Sequence, residues 1–134
     1  MFEELHLLLS NLVVSDSWEA QDLPPAYPDD YFLSIADENY LKFGLASSDR
    51  RKISYDTPKQ VTGVLLYSVF YQKTGGKKYA SQVADKLSLV VDDKLFLDGK
   101  VQTFTGSLVF LGNDPQDSTL ARADYSVPFN FIGE

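Results

Sequence analysis

Between Val61 and Gln72 the chain reads VTGVLLYSVFYQ, and no other segment limits its fold as much. On an extended strand Val61, Leu65, Tyr67, Val69 and Tyr71 share one side and Val64, Leu66 and Phe70 the other, the pattern of a strand buried on both faces. After the turn signal KTGGKK the spacing changes. Tyr79, Ala80, Val83, Ala84, Leu87 and Val91 recur at helical steps with Ser81, Gln82, Asp85, Lys86 and Ser88 opposite, which predicts one amphipathic helix. One helix covers one face of a strand. The second apolar face therefore calls for more of this chain or for another subunit.

The 134 residues suit a single domain over 1–134, able to bury about two thirds of its unfolded surface. An aromatic content of 13%, nearly all Tyr and Phe, leans towards β structure. No apolar run approaches the ~20 residues of a membrane span. Glu3 and Glu4 stand where a signal peptide carries Lys or Arg, so the expectation is a soluble chain that is not exported and does not enter a membrane. Cysteine is absent, which excludes a disulfide framework and thiolate metal ligation and fits an intracellular or virion setting.

A net charge of −7 argues against general nucleic-acid binding, which needs clustered Lys and Arg. The charge is also divided along the chain. Residues 1–41 hold nine acids and no Lys or Arg, whereas residues 42–91 hold nine Lys or Arg against three acids. Solvated loops would explain such runs. So would an acidic patch on one subunit meeting a basic patch on the next, the complementarity that head-to-tail rings require.

Phe2, Leu5, Leu8, Leu9 and Leu12 predict a short N-terminal helix ending before Ser15. The stretch SDSWEAQDLPPAYPDD, with Pro24-Pro25, reads as an irregular connection. A first strand is expected over Tyr31–Ala36 and a second over Tyr40–Leu45, followed by a long polar excursion from Ala46 to Pro58. Turns at Asp92-Asp93 and Asp98-Gly99 precede one strand over Gln102–Phe110. ARADYSVPFNF then alternates cleanly as the last strand, where Pro128 suggests a sheet edge because it cannot donate to a ladder. The order is α-β-β-α-β-β, which predicts an α+β domain: a mixed or antiparallel sheet with helices packed on one face.

Little points to catalysis. The lone His6 sits beside leucines with no Cys or second His to complete a dyad or metal centre, and no GxSxG elbow is present. Gly75-Gly76-Lys77-Lys78 lacks phosphate-loop spacing. The pairs Asp29-Asp30, Asp37-Glu38 and Asp92-Asp93 read as solvated turn acids, since neighbours on a strand point to opposite faces. No enzyme activity and no cofactor or metal is expected. Trp18 either caps the sheet core, the favoured reading, or makes an intersubunit contact.

Three features together resemble the tail terminator (tail completion, or tail-to-head joining) proteins of long-tailed bacteriophages. They are Trp18-Glu19 followed by Leu23-Pro24-Pro25, the run GVLLYSVFYQKTGGKKYASQVADKL, and the closing ARADYSVPFNF. The resemblance spans nearly the whole chain and rests on order, length and local pattern. It implies a structural virion protein that forms a ring, with a hexamer the expected closure, at the head-proximal end of the tail after assembly in the host cytoplasm. Such a ring caps the tail tube protein, stops its polymerisation and offers its other face to the head-tail connector protein. DNA passes through its lumen without specific binding. Candidate ring or tube contacts are Arg50, Arg51, Lys52, Trp18, Asp29, Asp30 and Arg122. Two alternatives stand beside it: a head-tail connector or tube subunit, and a monomeric α+β domain binding a small molecule among Tyr67, Phe70, Tyr71, Phe104 and Phe110.

Overall fold

The computed structural model describes residues 2–24, 26–28, 39–52, 59–72, 76–113 and 120–133. Helix α1 (Phe2–Leu12) carries Glu3 and Glu4 in its first turn, where the helix dipole favours acids, and buries Leu5, Leu8, Leu9 and Leu12. The connection that follows is not irregular. Ser15 closes α1 by donating its hydroxyl to the Leu12 carbonyl (2.6 Å) and opens a second helix by accepting from the Trp18 N–H (3.3 Å). This N-cap starts α2 (Asp16–Ala20), too short to register as periodicity. Beyond Pro24 the chain forms β1 (Ala26–Pro28). The strand expected over Tyr31–Ala36 lies outside the described residues.

Strands β2 (Tyr40–Lys52) and β3 (Lys59–Gln72) form an antiparallel hairpin whose register runs from Tyr40↔Phe70 to Lys52↔Lys59, with one irregularity between Leu45 and Ser47. The polar excursion expected from Ala46 is therefore strand as far as Lys52. Residues 53–58 lie outside the described set. Strand β1 adds parallel to β2 over Leu41–Phe43.

Helix α3 (Gly76–Val91) follows the expected periodicity and buries Ala80, Val83, Ala84, Leu87, Val90 and Val91. The next strand divides into β5 (Val101–Thr103) and β6 (Ser107–Asn113), and a two-residue β4 (Leu95–Phe96) pairs with β5 through the turn at Asp98-Gly99. Both β5 and β6 pair with β7 (Leu120–Gly133), which pairs along its whole length with β3 on its other side.

Pro128 thus sits in a central strand, not at an edge. Its carbonyl accepts from the Phe104 N–H (3.0 Å), in the gap where β5 gives way to β6. A strand residue's N–H and C=O point to the same side, so the donor that proline lacks falls where no ladder partner is present.

The order β1-β2-β3-β7-β5-β4, with β6 also on β7, makes a seven-stranded mixed sheet, and the chain is α+β. Its helix-side face holds Leu41 and Phe43 of β2, the odd-numbered residues Leu65 to Tyr71 of β3, and Ala121 to Phe131 of β7. These join α1, Trp18 and α3 in one hydrophobic core.

Candidate interaction surface

The opposite face of the sheet is built differently. Tyr40 and Phe70 stack there with ring centroids 4.7 Å apart, and Lys42 and Arg122 lie over the Phe70 ring at 5.8 and 5.7 Å. Arg122 grips Asp124 with two donors, Nε to Oδ1 (2.9 Å) and Nη2 to Oδ2 (3.2 Å), and also donates to the Ser68 hydroxyl. Such a fork fixes the guanidinium. Further along, Gln60 donates to Asn130 (2.5 Å), and Thr62, Val64 and Leu66 are half-buried. Among the described residues no helix covers this face.

The edges differ from each other too. Strand β6 presents Leu108, Val109, Phe110 and Leu111 without a charge among them; Val109 and Leu111 are half exposed and Lys77 reaches over the Phe110 ring. A shift in register between Phe110 and Gly112, with Gly112 at φ +84°, ends the regular ladder, and only a residue without Cβ takes that backbone at little cost. Among the described residues the outer edge of β2 is covered only over Leu41–Phe43, by β1, and its far end carries Asp49, Arg50, Arg51 and Lys52.

Near the α1–α2 corner a groove of about 370 Å³ is lined by Val13, Val14, Trp18 and Leu23 and rimmed by Glu19 and Asp22. Trp18 forms part of its wall while remaining buried, its ring 5.9 Å from that of Tyr67.

Of the two acids after α3, Asp93 is an exposed turn residue, as expected, whereas Asp92 is half-buried and tied into the fold. Asp92 Oδ2 accepts from the Tyr125 hydroxyl (2.7 Å) and the Gly106 N–H (2.9 Å), and Asp93 accepts from Thr105 (3.0 Å). Thr103 joins them by donating to the Val91 carbonyl (2.5 Å) and accepting from the Lys94 N–H (2.9 Å). This network latches the β5–β6 break against the end of α3. Gly106 is required there, because a Cβ would lie 2.6 Å from the Tyr125 ring. Burial and the Asp92 carboxylate push the Tyr125 hydroxyl pKa well above its ordinary value. A phenol held neutral in this way is a donor in a structural network and is poorly suited to act as a base at neutral pH.

Of the candidate contacts, Arg50, Arg51 and Lys52 lie at successive β2 positions opposite Val61, Gln60 and Lys59. Trp18 belongs to the chain's own core, Arg122 is committed to Asp124, and Asp29 and Asp30 lie outside the described residues. Those that are described do not converge on one site. Nor do the five aromatics proposed for a ligand pocket: Tyr67 and Tyr71 face the helices, Phe70 faces away from them, and Phe104 and Phe110 are exposed. His6 is exposed on α1. Sequence reading missed the edge of β6 that no described strand covers, whose only signal was four consecutive uncharged apolar residues, and the Asp92 latch, which had none.

Among the described residues no three His, Asp or Glu side chains gather as a metal site, and no helix is long and apolar enough to cross a membrane. No protein-family model and no curated protein matches the chain. Solved structures do match. One is 18% identical with a TM-score of 0.56, covering 93% of this chain and 86% of its own, a likeness that shows the fold alone.

Proposed function

We propose that this chain is a structural subunit of a phage tail, a terminator that assembles as a ring on the last ring of the tail tube and presents its other side to the head connector. The observation that carries the reading is the unequal sheet: one face is closed by α1, Trp18 and α3, while the other carries half-buried apolar and polar side chains beside a buried Tyr40–Phe70 stack, with no described helix over it. In a ring that face lines the lumen. Its described side chains pair with one another, Arg122 with Asp124 and Gln60 with Asn130, which leaves few free cations to hold passing DNA. The resemblance in Trp18-Glu19, the β3–α3 run and the closing strand supports the same role.

The test is electron microscopy of tail tubes polymerised with and without the purified chain. The expected result is a ring at one tube end and a halt to growth. Tubes of the same length distribution in both reactions, with no added density at either end, would remove the reading.

A further inference from the structure

We infer that strand β6 is an assembly strand, pairing antiparallel with the outer edge of β2, between Gly44 and Lys52, on a second copy of this chain. This rests on the ring reading above for its symmetry but not for its chemistry. An edge strand offers unpaired N–H and C=O groups to any chain that can reach them, and proteins blunt such edges with charge, proline or a cover. Strand β2 follows that rule with Asp49, Arg50, Arg51 and Lys52, so that two β2 edges side by side would crowd cations. Strand β6 does not. Between Ser107 and Phe110 it runs in regular register on β7 with no charge and no proline, and Val109 is 50% exposed.

The occupant follows from direction and length. The pairings β2–β3, β3–β7 and β7–β6 are all antiparallel, so β2 and β6 run in opposite directions at the two sides of one sheet. Copies related by rotation about a single axis keep their orientation, and the β6 of one then meets the β2 of the next antiparallel. The same rule forbids β6–β6 pairing in such a ring. Seven residues of β6 fit against the nine residues of β2 that β1 leaves uncovered in three ungapped registers. They set Val109 opposite Ser48, Asp49 or Arg50. Directly opposite residues share a face, so the register with Asp49, which lies level with Thr62, keeps the helix sides of successive copies aligned, and the other two would turn the next sheet over.

The offset also closes a sheet. Within one copy Val109 lies level with Asp124, Ser68 and Lys42, so pairing with the residues near Asp49 of the next copy shifts the strands by roughly six positions, ~20 Å. Four strand spacings amount to ~19 Å. The strands would then tilt about 45° from the ring axis, at the upper end of the range that closed sheets adopt.

The absence of native cysteine makes the test clean. Val109→Cys is combined in turn with Ser48→Cys, Asp49→Cys and Arg50→Cys, the proteins are mildly oxidised, and covalent species are read on a denaturing gel. A ladder of multimers from one double variant, and none from the single variants, is the expected result. Disulfide dimers from Val109→Cys alone would mean that β6 pairs with itself, and would overturn the inference. So would the absence of any cross-link in all three double variants.

Val109→Lys combined with Asp49→Lys, which sets two cations across from each other at the seam, provides an independent arm. It should leave the unfolding temperature of the dilute subunit unchanged while abolishing multimers, and multimers that persist would count against the proposal. Multimers that cross-link yet fail to cap tubes would leave the strand pairing intact and remove the terminator role. Tube capping without any cross-link would do the reverse.

Discussion

Leu65 and Leu66 are neighbours on the same strand and have opposite surroundings. Leu65 is fully buried between β2, β7 and the helices, whereas Leu66 is half-buried on a face without a described helix. The contrast holds along the sheet except at the buried Tyr40–Phe70 stack, against which Tyr27 packs. On the helix side Val61, Tyr67, Val69, Ala123, Val127 and Phe131 are buried to within a few per cent; on the other side Ile132 is exposed and charged groups lie over aromatic rings. Among the described residues, helices close the first face and not the second. The helix side therefore carries most of the stability, and in the proposed ring the far side and the edges serve assembly.

The largest effect that could break this contrast comes from adjacent residues of β7. Phe131→Ala removes a buried ring from the helix-side core and should cost about 3–5 kcal/mol of unfolding free energy. Ile132→Ala, one position on, should cost under about 1 kcal/mol, since much of its side chain is already in water. Equal losses in a denaturant titration would mean that both faces are core.

A smaller effect tests whether the Asp92 latch belongs to the finished side. Asp92→Ala leaves the Tyr125 hydroxyl and the Gly106 N–H without their acceptor and should cost about 1–3 kcal/mol. The tyrosines also set an alkaline limit. Burial raises the pKa of Tyr67, and burial together with Asp92 raises that of Tyr125, above the ordinary value of 10.0. The folded chain then holds protons that the unfolded chain releases, so this contribution is complete below pH 10 and stability falls as pH rises beyond it. Thermal unfolding across that range should show the decline, and a flat profile would contradict it.

The smallest effect sharpens the picture of the core. Tyr67 is fully buried, and its hydroxyl has no hydrogen-bond partner among the described residues. Tyr67→Phe removes a polar group that gains nothing from burial and should leave stability unchanged or raise it by up to about 1 kcal/mol. A clear loss in calorimetry would reveal a partner for the hydroxyl.

How much of this was legible beforehand depended on whether the deciding forces were local. The β7 alternation from Ala121 to Phe131 and the helical spacing from Ala80 to Val91 report burial directly, and both elements form where the pattern places them. The SSDRRK half of β2 carries no apolar alternation, and its strand comes from the backbone of β3 alongside. The break between β5 and β6 is set by Asp92, whose carboxylate holds Gly106 fourteen residues away in sequence. Pro128 misled because its effect depends on which neighbour its missing N–H faces. The apolar residues on both sides of β3 were visible, but not that Val64 and Leu66 stay half-buried, nor the exposure of β6, since cover and edge are properties of topology.

The most direct measurement compares Leu65→Ala with Leu66→Ala in the dilute subunit by chemical denaturation, with the mass of the concentrated protein by light scattering alongside. The expected result is a loss of about 2–5 kcal/mol for Leu65→Ala and under about 1 kcal/mol for Leu66→Ala. Equal destabilisation by the two substitutions, with no change in mass for either, would contradict a sheet with one finished face and one left for assembly.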